Sequence, residues 1–215
     1  MLHDFSFKIK DKLFKFLKQN LVKTKNDILL FKKMGFKIAF CGKMASGKTT
    51  ICEIIKEQYP SAKILNFAGP IKEIATNYFG MTEKNRELLI KIGQFGRSID
   101  SDIWIKNMLK ESCKHDYVLC DDLRQYNEHK CLKREGWFLI RLDVSPELQK
   151  QRLINKYGEG EAINHMAFSN DVSETEAINL PDDQYDAILK MDNYATSDAL
   201  KEKIISLIFL KLLLA

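Results

Sequence analysis

Short apolar runs alternate along the chain with segments whose apolar residues recur at helical spacing. The apolar runs predict five strands, at residues 36–41, 63–67, 117–120, 137–142 and 186–191. The segments with helical spacing predict helices at residues 50–59, 71–79, 83–92, 102–113, 127–134, 146–156 and from Ser197 onward. Strands that alternate with helices favour a parallel sheet with helices on both faces. The pattern therefore predicts an α/β fold.

Glycine and proline interrupt this pattern at three places. Residues 68–70, Ala-Gly-Pro, predict a turn before the second helix. Gly93 and Gly96 predict a break in the helix that begins near residue 83. Residues 157–171 are polar, contain two glycines and have weak periodicity, so they predict a mobile insert.

The two ends of the chain are amphipathic or apolar. Residues 1–35 predict one or two basic amphipathic helices, an extension to the domain at residues 36–215. Such helices can cover their own domain, contact a second copy in a homodimer or bind a membrane surface, and the first two alternatives are favoured. The apolar run at 204–214 is interrupted by Lys211 and predicts a C-terminal helix packed on the sheet.

Charge and cysteine usage narrow the class of protein. Residues 1–37 contain ten lysines and three aspartates, a net charge of +7, so residues 38–215 carry −2 of the total of +5. The basic balance belongs to the extension, which weakens the case for a nucleic-acid surface on the domain. Cys41, Cys52 and Cys120 lie in apolar segments and predict reduced core thiols. With no secretory signal in residues 1–35, we expect a cytoplasmic protein.

A phosphate-binding motif lies between the first predicted strand and its helix. Its residues match G-x-x-x-x-G-K-[ST] and are Gly42, Lys43, Met44, Ala45, Ser46, Gly47, Lys48 and Thr49. In such a loop the backbone N–H groups bind phosphate oxygens, Lys48 reaches the β- and γ-phosphates, and Thr49 ligates Mg²⁺. Thr50 opens the helix, whose positive dipole end faces the same anion. A strand before the loop and a helix after it provide the required context, so the motif predicts ATP binding.

Further charged residues follow the later predicted strands. Asp121 and Asp122 come after an apolar strand, where a carboxylate can hold Mg²⁺ or cap a helix or turn. The metal role is favoured for the pair, and the sequence does not divide it between the two residues. Arg97 and Arg124 offer anion sites, although a surface role is an alternative for Arg97. Arg152 precedes the polar insert, and a cation there could close over transferring phosphates. A solvated arginine on a helix face is the alternative.

Four segments then occur in an order that resembles the P-loop deoxynucleoside monophosphate kinases of bacteriophages and other viruses. These enzymes are relatives of adenylate kinase and dephospho-coenzyme A kinase. The segments are Phe67–Glu73, Gly93–Arg97 with Asp100 and Trp104, Asp121–Arg124 with Asn127 and Glu128, and Ser173-Glu174. The resemblance covers about residues 36–212. It implies a three-layer P-loop kinase fold with a five-stranded parallel sheet and a lid at about residues 153–172.

The resemblance also implies an activity and site roles. The activity is transfer of the ATP γ-phosphoryl group to a (deoxy)nucleoside monophosphate with Mg²⁺. Lys48, Arg152 and Asp121 are implied as catalytic residues. The implied acceptor-binding residues are Lys72, Arg97, Trp104, Arg124 and Glu128. Two other functions stay open: a dephospho-coenzyme A kinase-like enzyme with another small acceptor, and a non-catalytic nucleotide-binding protein recruited through residues 1–35.

Overall fold

Five strands form one parallel sheet at the centre of the protein, as the sequence predicts. The structure is a computed structural model that describes residues 35–168, 176–193 and 197–214. The strands are β1 (Phe36–Gly42), β2 (Lys63–Leu65), β3 (Tyr117–Leu123), β4 (Phe138–Asp143) and β5 (Ala187–Lys190). Their order across the sheet is β2-β3-β1-β4-β5, and every neighbouring pair is parallel. The order places β1, which leads into the phosphate-binding loop, at the centre of the sheet.

Helices connect the strands and cover both faces of the sheet. They are α1 (Lys48–Gln58), α2 (Ala68–Phe79), α3 (Arg86–Ile99), α4 (Ile103–Ser112), α5 (Tyr126–Arg134), α6 (Pro146–Tyr157), α7 (Glu159–Phe168) and α8 (Ser197–Leu214). Short 3₁₀ turns at Asp182–Gln184 and Met191–Asn193 flank β5. No helix in the described part of the chain combines the length and apolarity that a bilayer crossing requires.

Each face of the sheet has its own hydrophobic core, because successive strand residues point to opposite faces. On one face α1 and α8 pack against alternate residues of the central strands, including Phe40 and Ile140. On the other face α2, α4 and α5 pack against the intervening residues, including Cys41 and Leu139. This is the three-layer P-loop kinase fold that the sequence predicts. The predicted C-terminal helix on the sheet is confirmed, and so is the burial of the three core thiols.

The structure corrects two predicted interruptions on the α2–α3 side. Residues 68–70 form the first turn of α2 rather than a separate turn, since Pro70 lies where its missing N–H is not needed. Helix α3 runs unbroken through Gly93 and Gly96. A Cβ atom on Gly96 would lie 2.4 Å from Cζ2 of Trp104, so this glycine permits close packing of α3 and α4.

Part of the polar insert is helical, which its weak periodicity did not predict. Residues 159–168 form α7, which follows α6 after a break at Gly158, where φ is +83°. Weak periodicity therefore did not exclude a helix at these residues, and the mobility of the insert stays a prediction. Residues 169–172 of the expected lid, the Ser173-Glu174 pair and residues 1–34 of the basic extension lie outside the described residues.

Candidate active site

The phosphate-binding loop leaves the carboxyl end of β1 and enters α1 at Lys48. Gly42 has no room for a side chain, because a Cβ atom there would lie 2.6 Å from Oγ of Ser46 and 2.8 Å from the carbonyl oxygen of Leu142. Gly47 caps α1 with φ of +100°, in the left-handed region that favours glycine. The N–H of the buried Ser46 donates to the carbonyl oxygen of Lys43 at 3.1 Å and closes the loop. The predicted strand, loop and helix are confirmed.

Lys48 folds back over this loop. Its Nζ atom donates to the carbonyl oxygens of Gly42 and Lys43, the second at 2.9 Å. Both oxygens belong to the backbone of the loop itself. The ammonium group is therefore held where the motif requires a cation, beside the concavity that would take phosphate.

The two neighbouring aspartates on β3 have different partners. Oδ2 of Asp121 accepts a hydrogen bond of 2.8 Å from the Thr49 hydroxyl. Asp122 instead accepts the N–H groups of Phe67 and Ala68, at 2.9 and 3.0 Å, and so caps α2. Burial raises the pKa of Asp122 above its ordinary value. The geometry therefore pairs Asp121 with the loop, while Asp122 has the alternative role of a helix cap that the sequence leaves open.

Helix α6 brings two side chains onto the loop. Nη1 of Arg152 donates to the carbonyl oxygen of Ala45 at 3.1 Å. Nε2 of Gln149 donates to the carbonyl oxygen of Met44 at 2.9 Å. The structure thus brings Arg152 to the phosphate-binding loop from the helix that the sequence predicts over residues 146–156. Sequence reasoning missed Gln149, although a polar residue four positions before the buried Leu153 was a usable signal.

Glu128 is a buried acidic residue in the first turn of α5, the helix that follows β3. It is 3% exposed, and its Oε2 atom accepts the N–H groups of Arg124 and Gln125 at 3.1 and 3.0 Å. The bond from the Gln125 N–H belongs to a capping box at the start of α5, in which the Gln125 side chain accepts the N–H of Glu128 in return. Burial raises the pKa of Glu128 to about 7, and the nearby positive charge of Arg97 opposes this effect. Glu128 therefore lies within electrostatic reach of Arg97 and beside the backbone of Arg124.

Of three other predicted site residues, one is buried and two are exposed. Trp104 is 7% exposed and its indole N–H donates to the carbonyl oxygen of Gly93 at 3.1 Å, so it holds α3 against α4. This contact gives Trp104 a packing role, and its expected place near the nucleoside stays a prediction. Lys72 is exposed on α2, and Thr50 is exposed in the first turn of α1. Neither position contradicts its predicted role.

Comparisons with known proteins support the fold and leave the activity open. No family model matches the chain, and no curated protein matches it either. It is similar to the crystal structure of TT1252 from Thermus thermophilus, with a TM-score of 0.53 and 11% identity over 82% of this chain and 97% of the other. A shikimate kinase from Bacteroides thetaiotaomicron gives a TM-score of 0.49 and 15% identity over 80% and 96% of the two chains. The fold is therefore supported by the first similarity alone, because the TM-score of the second is below 0.5.

Proposed function

We propose that this protein is an ATP-dependent kinase that transfers the γ-phosphoryl group to a (deoxy)nucleoside monophosphate. The observation that carries the proposal is that Lys48 and Arg152, from α1 and α6, both rest on carbonyl oxygens of one phosphate-binding loop. Cations that converge on such a loop suit a reaction whose catalysis is mainly positioning and charge stabilisation. The choice of a deoxynucleotide as acceptor rests on the resemblance of the four sequence segments to the viral deoxynucleoside monophosphate kinases.

On the donor side, the loop amides would bind the β-phosphate of ATP and Lys48 would reach the β- and γ-phosphates. The Thr49 hydroxyl and the Asp121 carboxylate lie 2.8 Å apart and supply the hard oxygen donors that Mg²⁺ prefers. These two residues would hold the ion, directly or through water. A bound Mg²⁺ would neutralise charge on the phosphates. Arg152 would move from the Ala45 carbonyl to the transferring phosphoryl group.

On the acceptor side, the amino end of α2 is already occupied. The Asp122 carboxylate accepts the N–H groups of Phe67 and Ala68, so those amides do not serve an incoming phosphate. The acceptor phosphate must then be bound by side chains, and Lys72, Arg97 and Arg124 are the proposed cations. Guanidinium groups suit this task because they bind phosphate through two parallel hydrogen bonds. In this arrangement Glu128 orients the turn at Arg124 rather than contacting the nucleoside.

The test is ADP release from ATP with Mg²⁺ and each deoxy- or ribonucleoside monophosphate in turn, with dephospho-coenzyme A in parallel. The proposal predicts release that depends on one or a few monophosphates and is abolished in Lys48→Ala. Lys56→Ala is the matched control, because Lys56 is exposed on the same helix. Release that depends on dephospho-coenzyme A alone would identify the other small-acceptor kinase. ATP binding without turnover on any acceptor would favour the non-catalytic alternative.

A further inference from the structure

The start of α6 is fixed to the end of β5. The Asp192 carboxylate accepts hydrogen bonds from the N–H of Ser145, at 3.0 Å, and from its hydroxyl. The same hydroxyl oxygen accepts the N–H of Leu148 at 3.2 Å and caps the helix. The first turn of α6 is therefore held both by its own cap and by the 3₁₀ turn at Met191–Asn193, which follows β5. The side chains of this first turn, which ends at Gln149, therefore extend from a fixed backbone.

Gln149 lies on that turn and is 3% exposed. Its amide donates to the carbonyl oxygen of Met44 at 2.9 Å, across 105 positions of the sequence. A buried amide is a costly choice at an inward helix position, where a hydrocarbon of the same size would pack as well. The hydrogen bond to the loop supplies a reason for it.

The loop needs support at this point because of Ala45. Its φ is +61°, and no other non-glycine residue in the described part of the chain has a positive φ. The left-handed conformation is unfavourable for residues with a Cβ atom. The carbonyl oxygens on either side of its φ and ψ bonds belong to Met44 and Ala45, and they accept from Gln149 and Arg152 respectively. The two donors from α6 therefore bracket the strained residue.

We propose that Gln149 is a positioning residue of the phosphate-binding loop. It holds the Met44 carbonyl so that Ala45 stays left-handed and the loop amides keep the orientation that binds phosphate. Arg152 supports the same turn before nucleotide binds, but its charge draws it to phosphate. Gln149 is neutral and buried, so it keeps the loop in place while Arg152 moves. Only the nucleotide-binding consequence rests on the proposed function.

The first test measures hydrogen–deuterium exchange of the loop amides without nucleotide. Gln149→Met keeps the volume and removes the donor, and Gln151→Met is the matched control at an exposed position of the same helix. We expect exchange in residues 43–48 to be about tenfold faster in Gln149→Met and unchanged in Gln151→Met, the size that loss of one buried hydrogen bond produces. Should Gln149→Met not fold, Gln149→Leu also lacks the donor and must show at least the same increase. Unchanged exchange in either folded variant would overturn the proposal.

The second test asks whether the hydrogen bond acts through Ala45. Glycine tolerates a positive φ, so in an Ala45→Gly background the loop depends less on Gln149. We expect Gln149→Met to weaken ADP binding about tenfold in the native background and by a clearly smaller factor beside Ala45→Gly. Equal factors in the two backgrounds would show a packing role and contradict the proposal. If the native protein binds no ADP, the kinase proposal fails, while the exchange measurement still decides the role of Gln149.

Discussion

The buried Glu128 carboxyl should make the free energy of unfolding fall as the pH rises from about 4.5 to about 7. Burial raises its pKa from 4.5 to about 7 in the folded protein. The folded state therefore binds the proton more tightly than the unfolded state between these pH values. The stability that this carboxyl contributes is complete below about pH 4.5 and is lost as the pH rises to about 7. Since one pKa unit corresponds to about 1.4 kcal/mol, the ionised carboxylate lowers the free energy of unfolding by about 3 kcal/mol.

Glu128→Gln removes this titration while keeping the cap. The carbonyl oxygen of glutamine can accept the same N–H groups of Arg124 and Gln125 that the carboxylate accepts. The free energy of unfolding of the variant, minus that of the native protein, should therefore rise by about 2–3 kcal/mol between about pH 5 and pH 8.

Urea unfolding followed by circular dichroism at both pH values measures this difference. Glu73→Gln, at an exposed position of α2, is the matched control and should show no comparable change. A Glu128→Gln difference that is the same at both pH values would refute the reasoning, because a buried titrating carboxyl must produce one. A difference that falls with rising pH would show that the fold prefers the ionised carboxylate.

Three further predictions concern the packing of α3, the metal carboxylate and the extension. Gly96→Ala should lower the free energy of unfolding by about 1–3 kcal/mol in urea, because its methyl group would overlap Trp104, whereas Gly160→Ala meets no atom within 4 Å and should not. Asp121→Asn should lower kcat at saturating Mg²⁺ by at least about 100-fold, since the lost charge stabilisation amounts to several kcal/mol. An unchanged kcat would remove Asp121 from the metal site. Deletion of residues 1–35 should leave kcat unchanged in a purified, folded domain, and a folded but inactive truncation would contradict the predicted domain division.

The loop and its flanking elements could be predicted from the sequence because their determinants are local. Gly42 and Gly47 permit the tight turn, the apolar run before them forms a buried strand, and the residues after them have helical spacing. The alternation of strands and helices likewise fixes the layers, because parallel strands require crossovers that cover the sheet. These features depend on residues that are close together in the chain.

The roles that the sequence did not assign correctly depend on contacts between distant segments of the chain. Asp122 holds α2 because β2 pairs in parallel with β3, which brings the end of one strand beside the other. Gly96 looks like a helix breaker until Trp104 is seen to pack against it. The hydrogen bond from Gln149 to the loop joins residues more than a hundred positions apart. Spacing along one chain can place a residue such as Gln149 on the inward face of a helix, but it does not identify a distant partner, so these roles had to come from the structure.

The most direct test of the central proposal follows the γ-phosphoryl group of ATP itself. ATP labelled in the γ position is incubated with the protein, Mg²⁺ and the acceptor that supports ADP release, and the labelled products are separated. The account predicts that the label appears in the nucleoside diphosphate made from that acceptor, in equal amount to the ADP formed. Label released as inorganic phosphate, or retained in ATP with every acceptor, would contradict it.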